Sequence, residues 1–383
     1  MRASIIIATH NEGAALSRTI ESCIDSAISG DCEIVISDDA SNDGSVDDAE
    51  SRFPLVRIIR HNERRGASPA KDLGARNARG DTLIFLDAHT KPEAGAISRL
   101  INDIETLGRK AIVTPTIAAL QEGPWQSDLA RVGHGYAIDL RSFEPHWLPL
   151  DELQRVAGAR GMLESPALMG AAFAISRSLY ETLWGFDRSM RSWGLEDLDF
   201  GLRSWQFGYP ILHDPDAVIG HRFRDAFETY DVPLEHVLLN KLRMARKNFT
   251  ESVWSDWLAS CRESSEGMMP GHPEGLWAYV WQLFEQGRQS VEQERSYVQA
   301  HRDRDEFGYA ERFGLAWPRI GWMAPGGNGV SGGAAPLGPA VSGAARPSPR
   351  PTDAPQRPSP APSAAPPLGY SFLYFGGPGG ATC

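Results

Sequence analysis

Residues 1–115 alternate short apolar runs with segments in which apolar residues recur at helical spacing. Runs rich in β-branched residues predict strands, whereas apolar residues three and four positions apart predict one buried face of a helix. We therefore predict strands at 4–8, 33–37, 56–61, 82–86 and 111–115, and helices at 16–27, 46–53, 69–78 and 94–106. This alternation is typical of an α/β fold in which helices cover both faces of a mostly parallel sheet.

The pattern is less regular beyond residue 120. Residues 121–165, rich in Trp, Pro and Gly, are predicted to be irregular, and a strand at 169–176 and helices at 177–183 and 196–207 follow. Short strands are expected at 211–214 and 217–220, and residues 234–313 have helical spacing. After Trp322, Gly, Pro, Ala and Ser predominate, which predicts disorder. The expected regions are an α/β domain at 1–232, a helical C-terminal extension at 233–322 and a disordered tail at 323–383.

The composition limits the classes of protein to which the chain can belong. Its 383 residues carry a formal net charge of −11, which disfavours general nucleic-acid binding. The four cysteines (Cys23, Cys32, Cys261 and Cys383) show no CxxC spacing, so we expect a reducing compartment and no structural zinc, with a Cys23–Cys32 disulfide left open. No stretch approaches the roughly 20 apolar residues of a membrane-spanning helix. The expected location is the cytoplasm.

Polar clusters follow three of the predicted strands: Thr9–Glu12, Asp38-Asp39 and Asp87-Ala88-His89. Ligands of open parallel sheets bind at the carboxyl ends of the strands, so these clusters predict one binding crevice. The chain has no GxGxxG or GxxxxGKS loop for phosphate. The charge of a diphosphate would therefore have to be met by a metal ion and by side chains.

Asp87 and His89 can supply an oxygen and a nitrogen ligand, a pair that suits Mn²⁺ better than Mg²⁺. His221, after the predicted strand 217–220, is the best candidate for a third ligand. The alternative interpretation is a helix-capping aspartate and two histidines without a ligand role.

Three carboxylates, Glu196, Asp197 and Asp199, open the helix predicted at 196–207. A helix N-terminus favours negative charge, and we prefer that structural account for Asp199. Glu196 and Asp197 could instead face the crevice, where a carboxylate can accept a proton from an attacking hydroxyl or hydrogen-bond an acceptor sugar.

Several motifs follow one another in a fixed order: Ile-Ile-Ile-Ala-Thr-His-Asn-Glu, Asp-Asp-Ala-Ser, Asp-Ala-His, Trp-Gly-Leu-Glu-Asp and Gly-His-Arg-Phe-Arg. Over residues 3–230 this set resembles glycosyltransferase family 2, and especially the catalytic domain of the polypeptide N-acetylgalactosaminyltransferases. The resemblance implies a GT-A fold, the Rossmann-like fold of transferases that use nucleotide-sugars.

The resemblance also implies roles for individual residues. Asp87, His89 and His221 would bind Mn²⁺ on a UDP-sugar, and Glu196 would contact a sugar hydroxyl. Asp39 would contact the uracil or ribose, Arg64 would lie near the nucleotide or sugar, and Arg224 would hold the diphosphate. The implied nucleotide-binding set as a whole comprises Ala8, Glu12, Asp38, Asp39, Arg64 and Arg224, with Ala8 standing where the family commonly has a hydroxyl residue.

Asp197 departs from the pattern of the N-acetylgalactosaminyltransferases, which retain anomeric configuration and usually have Asn at this position. Inverting members of family 2, such as the chondroitin polymerases, usually have Glu-Asp here, and their Asp acts as a general base. We favour inversion with Asp197 as the base. The sequence pattern shows neither the membrane anchor nor the ricin-like lectin domain of the polypeptide N-acetylgalactosaminyltransferases. We therefore do not expect a Golgi-type role or a mucin-like acceptor.

The leading hypothesis is transfer of a sugar from UDP-GalNAc, UDP-GlcNAc or a UDP-hexose to a hydroxyl of a saccharide, peptide or small molecule, assisted by Mn²⁺ or Mg²⁺. A nucleotidyltransferase is a second hypothesis, which the lack of a Gly-rich basic loop after the first strand disfavours. A third hypothesis is a weak or inactive GT-A protein that binds carbohydrate or peptide.

Overall fold

The predicted alternation is present in the computed structural model, which describes residues 1–26, 32–157, 159, 161–224, 231–267 and 275–318. Its strands are β1 (Ala3–Thr9), β2 (Cys32–Asp38), β3 (Arg57–Arg60), β4 (Thr82–Asp87), β5 (Thr90–Pro92), β6 (Ile112–Gln121), β7 (Gln126–Gly133), β8 (Gly135–Ile138), β9 (Pro145–Leu148), β10 (Gln154–Arg155), β11 (Leu163–Glu164), β12 (Ala172–Ser176) and β13 (Ile211–His221). Its α-helices are α1 (Ala14–Ser26), α2 (Ser45–Arg52), α3 (Ala67–Asn77), α4 (Ala96–Thr106), α5 (Arg177–Thr182), α6 (Glu196–Gln206), α7 (Leu234–Asn248), α8 (Glu251–Gly267), α9 (Leu276–Gln286), α10 (Arg288–His301) and α11 (Glu306–Arg312).

Nine strands form the main path of one sheet in the order β10-β11-β13-β6-β12-β4-β1-β2-β3, with β5 joined to β13 and β7 joined to β6. Strands β3, β2, β1 and β4 are parallel neighbours, and β13 is parallel to β6. Strand β12 is antiparallel to both of its neighbours, β4 and β6. The predicted α/β fold with a mostly parallel central sheet is confirmed.

Strand β1 lies in the middle of the parallel part of the sheet, and its run of Ile5, Ile6 and Ile7 is fully buried. Both faces of a parallel strand are covered by other elements, so such a strand is apolar throughout. One aromatic cluster joins the sheet to the helices that follow it, with ring centroids 4.7 Å apart for Phe85 and Phe173 and for Phe186 and Phe200. This packing fixes α6, whose first turn carries Glu196 and Asp197.

The prediction that residues 121–165 are irregular is wrong in part. Strand β7 turns back antiparallel to β6, and β8 pairs with β9 in a separate two-stranded sheet. The Gly and Trp residues that make this region irregular in sequence pack against each other in the fold. A Cβ on Gly133 would collide with the Trp147 ring at 2.4 Å. The two short strands expected at 211–214 and 217–220 are one strand, β13, whose register shifts between Asp214 and Val218.

The helical region predicted after residue 234 is present as α7 to α11. Arg243 and Lys247 of helix α7 form buried ion pairs with Asp187, which lies between α5 and α6. None of the described helices is both long enough and apolar enough to span a membrane. Cys23 is not bonded to Cys32, so the disulfide left open by the sequence is not formed. The boundary at 232 stays a prediction, and the predicted disordered tail, 323–383, lies outside the described residues.

Candidate active site

The three polar clusters that predict a crevice lie at the carboxyl ends of β1, β2 and β4. Ala8 of β1 is in register with Ser37 of β2 on one side and with Asp87 of β4 on the other. The three polar clusters that follow these strands therefore leave the sheet at the same edge. Ala8 itself lies directly beside Asp87, a position set by the register of the strands.

The chain turns sharply after Asp87, and Thr19 of α1 holds this turn. The Thr19 hydroxyl donates to the carbonyl of Ala88 at 3.0 Å and accepts the N–H of Thr90 at 3.1 Å. The turn leads into β5, in which Thr90 is paired with His221 of β13. Two segments more than a hundred residues apart are thereby joined, and His221 comes to lie beside the Asp87–His89 turn.

Asp87, His89 and His221 form a three-residue cluster in which one ligand atom from each lies within 4.8 Å of the others. The side chain of His221 is almost fully buried, and among the residues that the structure describes neither ring nitrogen has a hydrogen-bond partner. Its Nε2 lies 3.4 Å from Asp87 Oδ2. Buried polar atoms are nearly always hydrogen-bonded, so a buried imidazole that meets only the edge of a carboxylate indicates a site for a ligand.

The protonation states of the cluster also suit a metal ion, which binds the carboxylate and the neutral imidazole. Burial raises the pKa of Asp87, but Lys71 and the two histidines outweigh it and hold the pKa well below its usual range. Burial lowers the pKa of His221 to about 4. One carboxylate and two imidazoles with open positions form a donor set that fits Mn²⁺.

Glu12 and Arg224 both lie at the Nδ1 atom of His89. The Nδ1 of His89 lies 3.1 Å from Glu12 Oε2, and Arg224 is hydrogen-bonded to the same carboxylate oxygen and lies 3.1 Å from His89 Nδ1. A carboxylate behind a histidine fixes its ring and tautomer, which leaves Nε2 as the ligand atom. Arg224 is thus placed at the metal cluster and Glu12 contacts His89, and the predicted roles of both residues in nucleotide binding stay predictions.

Lys71 of α3 links the metal cluster to the start of α6. Its ammonium lies 3.0 Å from Glu196 Oε1, 3.2 Å from the carbonyl of Gly170 and 3.8 Å from Asp87 Oδ1. Burial lowers the pKa of Lys71, but the surrounding carboxylates, Glu196 first, outweigh it and hold the pKa above its ordinary value. Glu196 also accepts the N–H of Gly194 at 3.2 Å.

Asp197 lies next to Glu196 and is held by backbone groups. Its Oδ2 accepts the N–H of Gly170 at 2.8 Å, and its Oδ1 accepts the N–H of Leu198 at 2.8 Å. A Cβ on Gly170 would come within 2.8 Å of the Asp197 carboxylate, so only glycine permits this approach. Burial, reinforced by the charge of Glu196, raises the pKa of Asp197 to about 7.

Asp38 and Asp39 are buried at the end of β2, and their carboxylates bind the protein's own backbone. Asp39 accepts the N–H groups of Arg65 and Gly66 at 2.8 and 2.7 Å and lies 3.0 Å from His61 Nδ1. Asp38 accepts the N–H of Ser41 at 2.9 Å. These contacts shape the loops that border the crevice, and the predicted contact of Asp39 with a nucleotide stays a prediction.

Arg64 lies on the loop between β3 and α3, where its guanidinium donates to the carbonyl of Asp231 at 3.2 Å. The structure therefore places it against the segment that precedes α7, apart from the contacts that unite the metal cluster. Its expected role near the nucleotide or sugar stays a prediction.

Lys71 is the residue of this site that the sequence reasoning missed. The signal was its position: Ser68, Lys71, Ala75 and Ala78 recur at helical spacing on the face that the helix buries. A lysine on such a face is almost never fully buried unless it is paired, so its position indicated a buried carboxylate partner.

Residues 4–183 match the family model "Glycosyl transferase family 2", and residues 155–222 match "N-terminal domain of galactosyltransferase". Residues 4–183 are thus similar to a glycosyltransferase family 2 domain. The predicted resemblance is confirmed by curated relatives. Polypeptide N-acetylgalactosaminyltransferase 3 of Drosophila melanogaster is 32% identical over 267 residues, which are 66% of this chain and 39% of that protein. The Homo sapiens protein of the same name is 31% identical over 268 residues, 66% of this chain and 41% of that protein.

The chain also resembles a solved structure, the crystal structure of GalNAc-T7 with UDP, GalNAc and Mn²⁺. The TM-score is 0.63 with 23% sequence identity, over 82% of this chain and 57% of that chain. At this identity the likeness bears on the fold alone, and it supports the GT-A fold expected from the motifs. The chain spans about two-fifths of the length of the two curated relatives.

Proposed function

We propose that the protein is a metal-dependent glycosyltransferase that moves a sugar from a UDP-sugar to a hydroxyl acceptor. The observation that carries the proposal is the cluster of Asp87, His89 and His221, which converge at the carboxyl edge of the sheet in a chain similar to family 2 glycosyltransferases. The buried nitrogens of His221 lack partners within the described part of the chain, as ligands awaiting an ion would.

In this proposal Asp87, His89 and His221 hold Mn²⁺, with Mg²⁺ as the alternative ion. The bound ion would neutralise the charge that develops on the UDP leaving group. Arg224, already beside His89, supplies a guanidinium suited to diphosphate oxygens. Mn²⁺ and UDP accompany GalNAc-T7 in its crystal structure, which supports the choice of ion and nucleotide.

Asp197 is proposed to take the proton of the acceptor hydroxyl. Each of its carboxylate oxygens accepts one backbone N–H, and each has a second lone pair that remains for a proton. A pKa raised to about 7 gives a base that is ionised near neutral pH and still strong enough to accept a proton. Direct attack by the acceptor hydroxyl would invert the configuration at the anomeric carbon.

The donor is proposed to be UDP-N-acetylgalactosamine, because the curated relatives are named as N-acetylgalactosaminyltransferases. UDP-N-acetylglucosamine and UDP-hexoses are the alternatives. The acceptor class (saccharide, peptide or small molecule) and the cytoplasmic location stay predictions.

The test is a panel of UDP-sugars incubated with the purified protein, with and without Mn²⁺, in which release of UDP is measured. We expect Mn²⁺-dependent hydrolysis of one donor, and NMR of the product's anomeric proton should show inversion once an acceptor is found. Sugar binding without UDP release from any donor would contradict the proposal and favour the inactive, carbohydrate-binding alternative.

A further inference from the structure

Lys71 is a buried cation of the site, and it lies outside the family motifs. Only 4% of its side chain is exposed. Its ammonium forms ion pairs with Glu196 at 3.0 Å and with Asp87 at 3.8 Å, and it donates to the Gly170 carbonyl at 3.2 Å. One side chain therefore contacts the end of β4, Gly170 (two residues before β12, packed on Asp197) and the first turn of α6.

Lys71 is a single positive charge that faces several carboxylates. Asp87, Glu196 and Asp197 all act electrostatically on this one ammonium. Two of them belong to different parts of the proposed reaction, since Asp87 is a proposed metal ligand and Glu196 a proposed sugar contact. A buried lysine that served only to neutralise one partner would not need to lie between two functional carboxylates.

We propose that Lys71 is a positioning residue that holds Glu196 at a fixed distance from Asp87 and that it opposes the metal ion at Asp87. This inference rests on the proposed function and deepens it by adding a residue to the same site. Lys71 does not touch the reacting atoms in this account; it acts through the two carboxylates.

The two effects of Lys71 have opposite consequences when its charge is removed. Without the ammonium, no competing cation lies beside the Asp87 carboxylate, and no nearby positive charge repels the bound ion. The affinity for Mn²⁺ should therefore rise. Loss of the ion pair lets Glu196 move, and small misplacements of positioning groups slow enzymes strongly. A residue that only stabilised the local fold would weaken metal binding and catalysis together.

The experiment compares Lys71→Met, which is similar in length but neutral, with Lys71→Arg, which keeps the charge. Binding of Mn²⁺ is measured without donor by electron paramagnetic resonance, and kcat and KM are measured with the donor found in the UDP-sugar panel. For Lys71→Met we expect Mn²⁺ to bind about tenfold more tightly, as removal of one nearby like charge implies. We expect kcat to fall about 10²-fold, the size of effect that a misplaced group produces.

Lys71→Arg should restore kcat to within about threefold of the natural protein, because a guanidinium can still pair with Glu196. The matched control is Lys110→Met, which removes the charge of an exposed lysine and should change neither value. Should Lys71→Met fail to fold, Lys71→Gln makes the same comparison, since its amide can still donate to the Gly170 carbonyl.

Weaker Mn²⁺ binding in Lys71→Met, or unchanged binding together with unchanged kcat, would overturn the inference. Failure of the natural protein to bind Mn²⁺ or to release UDP would contradict the proposed function instead. The two results are distinguishable because Mn²⁺ binding is measured before any donor is added.

Discussion

Two clusters of buried charge in this molecule differ in how completely they are satisfied. Beneath α7, Asp187 accepts two hydrogen bonds from Arg243 at 2.8 Å each and one from Lys247 at 2.7 Å. Lys247 also donates to Asp199 at 2.8 Å, and Asn248 donates to the other oxygen of Asp199 at 2.8 Å. We call this cluster closed because its carboxylates are matched by cations and donors of the protein itself, although Asn248 Oδ1 has no hydrogen-bond partner among the described residues.

The cluster of Asp87, His89 and His221 is open by the same criterion. His221 is buried, and neither of its nitrogens has a hydrogen-bond partner in the part of the chain that the structure describes, whereas 29% of the Asp87 side chain is exposed. A protein tolerates unsatisfied buried polar atoms at functional sites, where a ligand completes them. The contrast indicates that the ion pairs under α7 hold the fold together and that the open cluster binds a ligand.

Asp87→Ala should have the largest effect on activity. It removes the carboxylate ligand, and charge stabilisation by a bound ion is worth several kcal/mol, so we expect Mn²⁺-dependent turnover to fall at least about 10³-fold. The melting temperature should stay close to that of the natural protein, because Lys71 keeps its ion pair with Glu196. Release of UDP and thermal melting are the two measurements.

A suitable control for Asp87→Ala is Asp216→Ala, since Asp216 is 71% exposed and paired with Arg99 at the surface. It should keep full turnover. Full activity of Asp87→Ala at the Mn²⁺ concentration that saturates the natural protein would disprove the metal assignment.

Asp197→Asn should have the next largest effect. The amide keeps the size of the side chain and an oxygen that can accept the Gly170 N–H, but it cannot take a proton. Loss of a general base costs about 10²–10⁴-fold in rate, and KM for the donor should change little. The measurement is kcat with a saturating acceptor; a nearly normal kcat would support the retaining mechanism of the enzymes that have Asn here.

Asp187→Ala should break the closed cluster and leave the open one intact. Removal of one partner of a buried ion pair costs about 3–5 kcal/mol of folding free energy, because Arg243 and Lys247 remain buried. Chemical denaturation measures this loss. The folded fraction should still bind Mn²⁺ with its normal affinity.

The control for Asp187→Ala is Asp47→Ala, which breaks an ion pair with Arg60 in which the Asp47 side chain is 74% exposed. Such a surface pair contributes only about 0–1 kcal/mol. Equal losses of stability in the two variants would mean that the buried cluster has no special role in the fold.

The sequence allowed prediction of the open cluster but not of the closed one. Asp87 and His89 follow a strand directly, so their position at the edge of the sheet could be deduced from the local pattern. His221 follows another short strand, and the ordered motifs linked it to the first two. The ion pairs of Asp187 with α7 could not be deduced, because the charged residues of a helix do not indicate which distant carboxylate they will meet.

The parallel half of the fold was predictable for a similar reason. Buried parallel strands such as β1 are continuous apolar runs, and each is followed by a helix with a clear buried face. Strands β7 to β9 lack that signal, because they are short and partly exposed and their packing depends on pairs such as Gly133 and Trp147. Lys71 was missed because its place on the buried face of a helix indicates a carboxylate partner but not which carboxylate that is.

The pH dependence of the natural protein gives the smallest predicted effect and the sharpest test of Asp197. Burial and the charge of Glu196 raise the pKa of Asp197 to about 7, so the carboxyl is protonated below that pH and cannot act as a base. At saturating Mn²⁺, kcat should therefore fall about tenfold for each unit of pH below the pKa. His221 should not contribute, since burial lowers its pKa to about 4 and it stays neutral through this range. The residual activity of Asp197→Asn should lack this acidic limb; if the limb persists in the variant, another group supplies the proton-dependent step and the open cluster works without Asp197 as its base.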